Sequence, residues 1–265
     1  MEAELIELRI DSGIATVILN RPDKRNAIND GLREQLISAL GRVQAKKEVR
    51  ALVLTGRGKA FCAGGDIAAM KKRFEAPAGE VAFNGWKRQQ RVHYAQALLH
   101  TLPIPTIAAV NGPAIAGGCG LATLCDFTLA SSEAEFGYTE VRIGFVPAIV
   151  SAFLLRQVGE KQARDLLLTG RIIGAEEAFR LGLVNEVVAP DHLLQRARAL
   201  ANSLLENSPA SLAATKRLLK YYAAPELDTR IADAVDENAR IRTTTDFHEG
   251  ITSFLEKRKP QWRGK

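Results

Sequence analysis

Two short glycine-bearing segments constrain this chain more than anything else in it: Phe61-Cys62-Ala63-Gly64-Gly65-Asp66 and Ala114-Ile115-Ala116-Gly117-Gly118-Cys119-Gly120. Each follows an apolar run of strand character and leads into a helical pattern. Glycine at a strand-to-helix turn lets backbone N–H groups come close to a ligand. Two such turns together can aim two N–H donors at one oxygen, which is the arrangement that stabilises an oxyanion in acyl and enolate chemistry. Taken singly, each segment also fits a plain turn: Asp66 reads as the cap of a helix from Ile67, and the Gly117-Gly118 pair as an ordinary helix start.

Around these turns the first part of the chain alternates strand and helix. Residues 5–10 and 14–20 read as paired strands about an Asp11-Ser12-Gly13 turn. Asn29 or Asp30 caps a helix to about Ala45, with Leu32, Leu36, Ile37, Leu40 and Val43 on one face. Residues 49–55, 106–110, 127–130 and 183–188 are apolar runs of strand length. All four read as strands covered on both faces, as in a parallel or mixed sheet packed by helices. Residues 71–81 are charged and hold Pro77 and Gly79, so they read as a mobile loop beside the first glycine turn, and 71–91 as a wall of the pocket. Past Pro190 helical periodicity takes over, with breaks expected at Pro209 and Pro225. The reading is an α/β core over 1–195 and an α-helical region over 196–265.

At 265 residues and 46% hydrophobic, the chain can bury a full core. It holds no apolar run long enough to span a bilayer, and the acidic Met1-Glu2-Ala3-Glu4 has no signal-peptide core, which points to the cytosol. Cys62, Cys119, Cys125 and four scattered histidines fit no zinc spacing, so reduced, unligated thiols are expected. A net charge of +6 fits an anionic partner, either nucleic acid or a phosphorylated cofactor, and equally a mildly basic surface.

Among titratable residues Glu140 stands out. It lies in Phe136–Gly144, a semi-buried stretch where desolvation would raise a carboxyl pKa unless it is paired. Arg142 would share its side of a strand and could pair with it. His93 and His100, seven apart on a helix, read as surface residues. Ser151 has no nucleophile-elbow pattern around it.

Taken together these segments resemble the crotonase superfamily, the enoyl-CoA hydratase/isomerase family. The likeness spans essentially the whole chain, through Arg21–Ile28, Val49–Gly56, Ala60–Ile67, Pro105–Asp126, Phe136–Gly144, Leu166–Gly170 and Glu249–Trp262. It implies a crotonase-like core of repeated ββα units and a helical C-terminal region that trimerises, giving a homotrimer or dimer of trimers. It implies a CoA thioester as substrate. No tightly bound cofactor or metal is expected, and neither membrane nor nucleic acid is expected as partner. By position, the resemblance makes Gly65 and Gly117 the two thioester-oxygen donors. It lays Arg25, Asn26 and Ala27 along CoA with Ala63 and Asp66, brings Lys257 to the CoA phosphates, and puts Phe254 in the wall of the acyl pocket.

One departure bears on the reaction. Hydratases of this family carry two glutamates. The second is Glu140 here, but the first is replaced by Gly120, which leaves room for a bulkier acyl group or a water, or eases helix packing. A single carboxylate suffices for a 1,3-proton shift, so the residues favour double-bond isomerisation over hydration of a 2-enoyl-CoA. A further branch of the family has Asp where this chain has Ala148, which sets ring isomerisation and dehalogenation aside. The rival readings are a serine hydrolase, which lacks its Ser–His pair here, and a non-catalytic protein binding acyl-CoA or RNA.

Overall fold

In the computed structural model, residues 3–71 and 77–264 are described. Strands β1 (Ile6–Asp11) and β2 (Ile14–Leu19) form an antiparallel hairpin. Its two turn residues, Ser12 and Gly13, both have positive φ, at 52° and 79°. That geometry matches the twist of the strands it joins. The chain then enters α1 (Asp30–Ala45), where Asn29 Oδ1 accepts the Leu32 N–H at 2.8 Å and caps the helix.

The remaining strands of the main sheet are β3 (Ala51–Gly56), β4 (Thr106–Val110), β6 (Phe127–Ser131) and β9 (Glu186–Val188). Its order is β1-β2-β3-β4-β6-β9, and every pair after the hairpin is parallel. Strand alternation sends Leu52, Leu54, Ala108 and Val110 into one core with α1. Ala51, Val53, Ile107 and Ala109 go to the opposite face, which α7 (Leu193–Leu205) covers with Leu193, Ala197 and Ala201. The unbroken apolar runs thus reflect burial on both faces. The sequence-based boundary at residue 195 falls inside α7.

A second sheet joins β5 (Ala114–Ile115) in parallel to β7 (Glu135–Gly137), which pairs antiparallel with β8 (Ile172–Gly174). Helix α2 (Ile67–Lys71) follows the first glycine turn and α4 (Gly117–Thr123) the second. The long helix α3 (Ala78–Thr101) packs against α4 and α8 (Pro209–Ile241). The chain is completed by α5 (Ala148–Thr169), α6 (Ala175–Arg180) and α9 (Thr245–Leu255).

Three expectations are corrected. Residues 78–81, read as loop, open helix α3; residues 72–76 of that stretch lie outside the described residues. The strand read over 183–188 is confined to 186–188. Helix α8 starts at Pro209, where a missing N–H costs nothing, but runs on through Pro225. Packing against α3 and α5 outweighs the local penalty of about 3 kcal/mol for an interior proline.

Candidate active site

The two glycine segments lie side by side. Cys62 N–H donates to Pro113 O at 3.1 Å, and Ile115 N–H to Cys62 O at 2.9 Å. A side chain would not fit in this clasp. A Cβ on Gly118 would come within 2.2 Å of Cys62 O, and one on Gly64, at φ +86°, within 2.9 Å of Ile115 O. Absence of a side chain is therefore what allows the two turns to touch.

The clasp fixes the direction of two amides. Ile28 N–H donates to Gly64 O at 2.7 Å and Ile28 O accepts from Asp66 N–H at 3.1 Å. In such a parallel bridge the central residue, Gly65, turns its own N–H to the other side. Ala116 holds φ 52°, ψ −125° at the N-cap of α4. This is a strained backbone for a residue with a Cβ, costing about 1–3 kcal/mol. It makes Gly117 the first residue of the helix, whose N–H has no intrahelical acceptor. Among the described residues, neither the Gly65 nor the Gly117 N–H meets an acceptor. Both residues line one cavity of about 490 Å³.

Glu140 lines the same cavity. It opens a 3₁₀ turn, Glu140–Ile143, closed by Gly144 at φ 66°. Helix α9 clamps that turn. A Cβ on Gly144 would lie 2.3 Å from Asp246 O, and one on Gly250 would lie 2.2 Å from Ile143 O. Glu140 is 7% exposed, and its Oε2 has no hydrogen-bond partner. Desolvation raises its pKa from 4.5 to about 7, against a smaller lowering by its own backbone N–H. The strand pairing with Arg142 is corrected. In a 3₁₀ turn residues two apart point in different directions, and no ion pair links the two among the described residues.

Of the residues singled out from the sequence, Arg25, Ala63, Gly65, Gly117, Glu140, Ala148 and Phe254 line this cavity together. Asn26, Ala27, Asp66, Gly120 and Lys257 are not among its lining residues. Asn26 is fully buried behind it. Its Nδ2 donates to Ala60 O at 2.8 Å, Phe61 O at 3.2 Å and Arg57 O at 3.0 Å, and its Oδ1 accepts Arg21 N–H at 2.8 Å. Asp66 Oδ1 accepts the Ala69 N–H at 3.0 Å and so caps α2, while its Oδ2 pairs with Arg21 Nη1 at 2.7 Å. That same Nη1 donates to Ala27 O at 3.0 Å. Lys257 is exposed just past α9. Gly120 is buried behind Val150 and Gln96, both of which do line the cavity.

The histidines are not the surface residues expected. His100 Nδ1 lies 3.2 Å from Leu124 O and its ring meets Phe153 edge-on, while His93 buries an unpartnered Nδ1. Ser151 Oγ donates to Ala148 O at 2.6 Å. All three cysteines are free and buried, and burial pushes the Cys62 and Cys119 thiols up to about 12. No group of three or more His, Cys, Asp or Glu able to hold a metal ion occurs among the described residues, and no helix there is long and apolar enough to cross a membrane.

Sequence reasoning missed a polar set on the far wall. Gln89 and Gln96, two turns apart on α3, are both buried and line the cavity with Asn238 of α8 and Arg242, which caps that helix at its C-terminus. Arg242 donates to Asn238 Oδ1 at 3.2 Å and lies over Phe145, 4.7 Å from the ring centroid. The signal was present: Gln89, Val92, Gln96 and Leu99 share one helix face, and two amides on such a face call for partners.

The profile described as Enoyl-CoA hydratase/isomerase matches residues 9–265. A Thermus thermophilus protein bearing an enoyl-CoA hydratase name is 45% identical over 256 residues, covering 96% of this chain and all of the relative. The short-chain-enoyl-CoA hydratase of Clostridium acetobutylicum is 36% identical, over 98% of this chain and 97% of its own. The crystal structure of an enoyl-CoA hydratase/isomerase from Xanthobacter autotrophicus Py2 superposes with a TM-score of 0.88 at 28% identity, covering 96% of this chain and 94% of that one. The crotonase-like fold expected from the sequence is thus the fold observed.

Proposed function

The chain belongs to the enoyl-CoA hydratase/isomerase family of acyl-CoA enzymes, and from that premise we propose that it hydrates 2-enoyl-CoA thioesters with one acid–base residue, Glu140. The observation that carries this reading is a buried, unpaired carboxyl with its pKa near neutrality, sharing a cavity with two glycine amides that lack acceptors.

The steps follow from those groups. The Gly65 and Gly117 amides hold the thioester oxygen. The Glu140 carboxylate takes a proton from water as the water oxygen bonds to C3. The C2=C3 electron pair moves onto the thioester oxygen, giving an enolate that the two amides stabilise. Protonated Glu140 then delivers that same proton to C2, the thioester carbonyl re-forms, and the carboxylate is restored. Nothing in this cycle needs a second carboxylate. A pKa near 7 suits a group that must accept and then release a proton at neutral pH.

The sequence alone inclines to isomerisation, because Gly120 stands where a second glutamate is found in hydratases. The relatives tip the balance, since those at 45% and 36% identity carry hydratase names. A CoA thioester also gives the chain's positive charge an anionic partner. Lys257 is assigned to the CoA phosphates and the assembly to a trimer or dimer of trimers on family likeness.

The test is a pair of assays on the purified protein with crotonyl-CoA and a 3-enoyl-CoA. Hydration of crotonyl-CoA is expected, with kcat/KM falling as pH drops below about 7 because the carboxylate becomes protonated. Turnover of the 3-enoyl substrate with none of crotonyl-CoA defeats the hydratase reading.

A further inference from the structure

Four buried side-chain polar atoms lack a hydrogen-bond partner among the described residues: Arg50 Nε, His93 Nδ1, Gln96 Oε1 and Glu140 Oε2. Two of the four, on Gln96 and Glu140, belong to residues lining the same cavity. Buried polar atoms are almost always satisfied by protein or ordered water, so an orphan in a cavity wall marks a place for a ligand atom or a water.

Gln96 also lies beside Gly120. A Cβ on Gly120 would lie 3.2 Å from Gln96 Nε2 and 2.6 Å from Val150 Cγ1. Val150 is thus the nearer neighbour of the space into which a side chain at 120 would project, and the Gln96 amide borders that same space. A larger residue at 120 would require Val150 and the Gln96 amide to shift. The polar side chain beside Gly120 thus comes from helix α3 and not from α4.

We propose that Gln96 positions the water that adds to C3 and gives its proton to Glu140. This rests on the hydration reading above. An amide carries both an acceptor and two donors, so it can accept one water O–H and orient the oxygen lone pair toward C3. It takes no proton itself. The departing water proton goes to Glu140 and then to C2, and Gln96 is unchanged at the end of the cycle. Only the step that uses water depends on it. Removing a C2 proton from a saturated thioester needs Glu140 and the two glycine amides alone.

That difference supplies the experiment. Crotonyl-CoA hydration and solvent-deuterium exchange at C2 of butyryl-CoA are measured on the wild type, on Gln96→Leu and on Gln96→Met. Loss of the amide is expected to lower the ratio of hydration to exchange by about 10- to 100-fold in both variants, the cost of a misplaced reactant. A ratio unchanged from wild type in either variant overturns the assignment, because a merely structural Gln96 would move both rates together. If Gln96→Leu does not fold, the more adaptable Met at the same volume still supplies the ratio. A wild type that exchanges C2 protons but adds no water to crotonyl-CoA overturns the hydratase reading itself, and this is seen before either variant is needed.

Discussion

Asn26 and Glu140 are both polar, both buried and both close to the glycine clasp, yet they are treated in opposite ways. Asn26 makes four hydrogen bonds, tying the Arg21–Ala27 loop to the chain leaving β3. Glu140 keeps an oxygen with no partner and a pKa raised by lost solvent. A buried polar group whose bonds are all met holds a fold together. One left unmet costs stability, and the fold tolerates it only where the surroundings over-determine its position. Here the over-determination is visible, since α9 packs backbone to backbone against the turn that carries Glu140 through Gly144 and Gly250.

The sharpest way to break this contrast is Glu140→Gln. The amide is close to the same shape but cannot relay a proton. Turnover of crotonyl-CoA is expected to fall by about 10²- to 10⁴-fold, the usual weight of a general acid–base group. Residual activity near wild type would remove Glu140 from the chemistry. Asn26→Ala should act on the other property. It strands three carbonyls and one amide, so unfolding by denaturant should show a loss of about 2–4 kcal/mol. A neutral Asn26→Ala would mean that the knot is decorative and the contrast false.

The same comparison predicts a pH signature. In the folded protein Glu140 titrates near 7, against an ordinary 4.5. A raised pKa means that the neutral form is the favoured one. Its contribution to stability is complete below about 4.5 and is lost as pH rises through 7. Wild-type stability relative to Glu140→Gln should therefore decline across that window, by up to about 3 kcal/mol at pH 8. Paired melts at pH 4.5 and pH 8 read it directly, and a gap between the two proteins that stays constant with pH would contradict the raised pKa.

How much of this was legible beforehand follows from range. Apolar runs and the Ser12-Gly13 turn are local signals, and β1 to β4 form close to where they were expected. The two glycine turns were legible because only glycine permits the contact between them. The Glu140 turn was read as strand because what bends it lies far along the chain, in the backbone of α9 against Gly144. Helix α8 passes Pro225 for a similar reason, through packing on α3 and α5. Gln96 is not legible in apolar periodicity, because its meaning comes from an amide on an apolar face beside a missing side chain at Gly120.

The smallest predicted effect separates two adjacent glycines. Gly118 cannot carry a side chain, because Cys62 O is in the way at 2.2 Å. At Gly117 a Cβ would find nothing within 4 Å, and the residue lines the cavity. Gly117→Ala keeps the N–H and needs no positive φ, so it should fold as well as wild type. It should even gain about 0.4–1 kcal/mol, because alanine restricts the unfolded chain more than glycine does. The added methyl group would stand in the cavity, where the proposed function puts the thioester. KM for crotonyl-CoA should therefore rise while the melting temperature does not fall. A stable variant with unchanged KM would mean that the substrate does not pass this amide closely, and the oxyanion role would then rest on Gly65 without its partner.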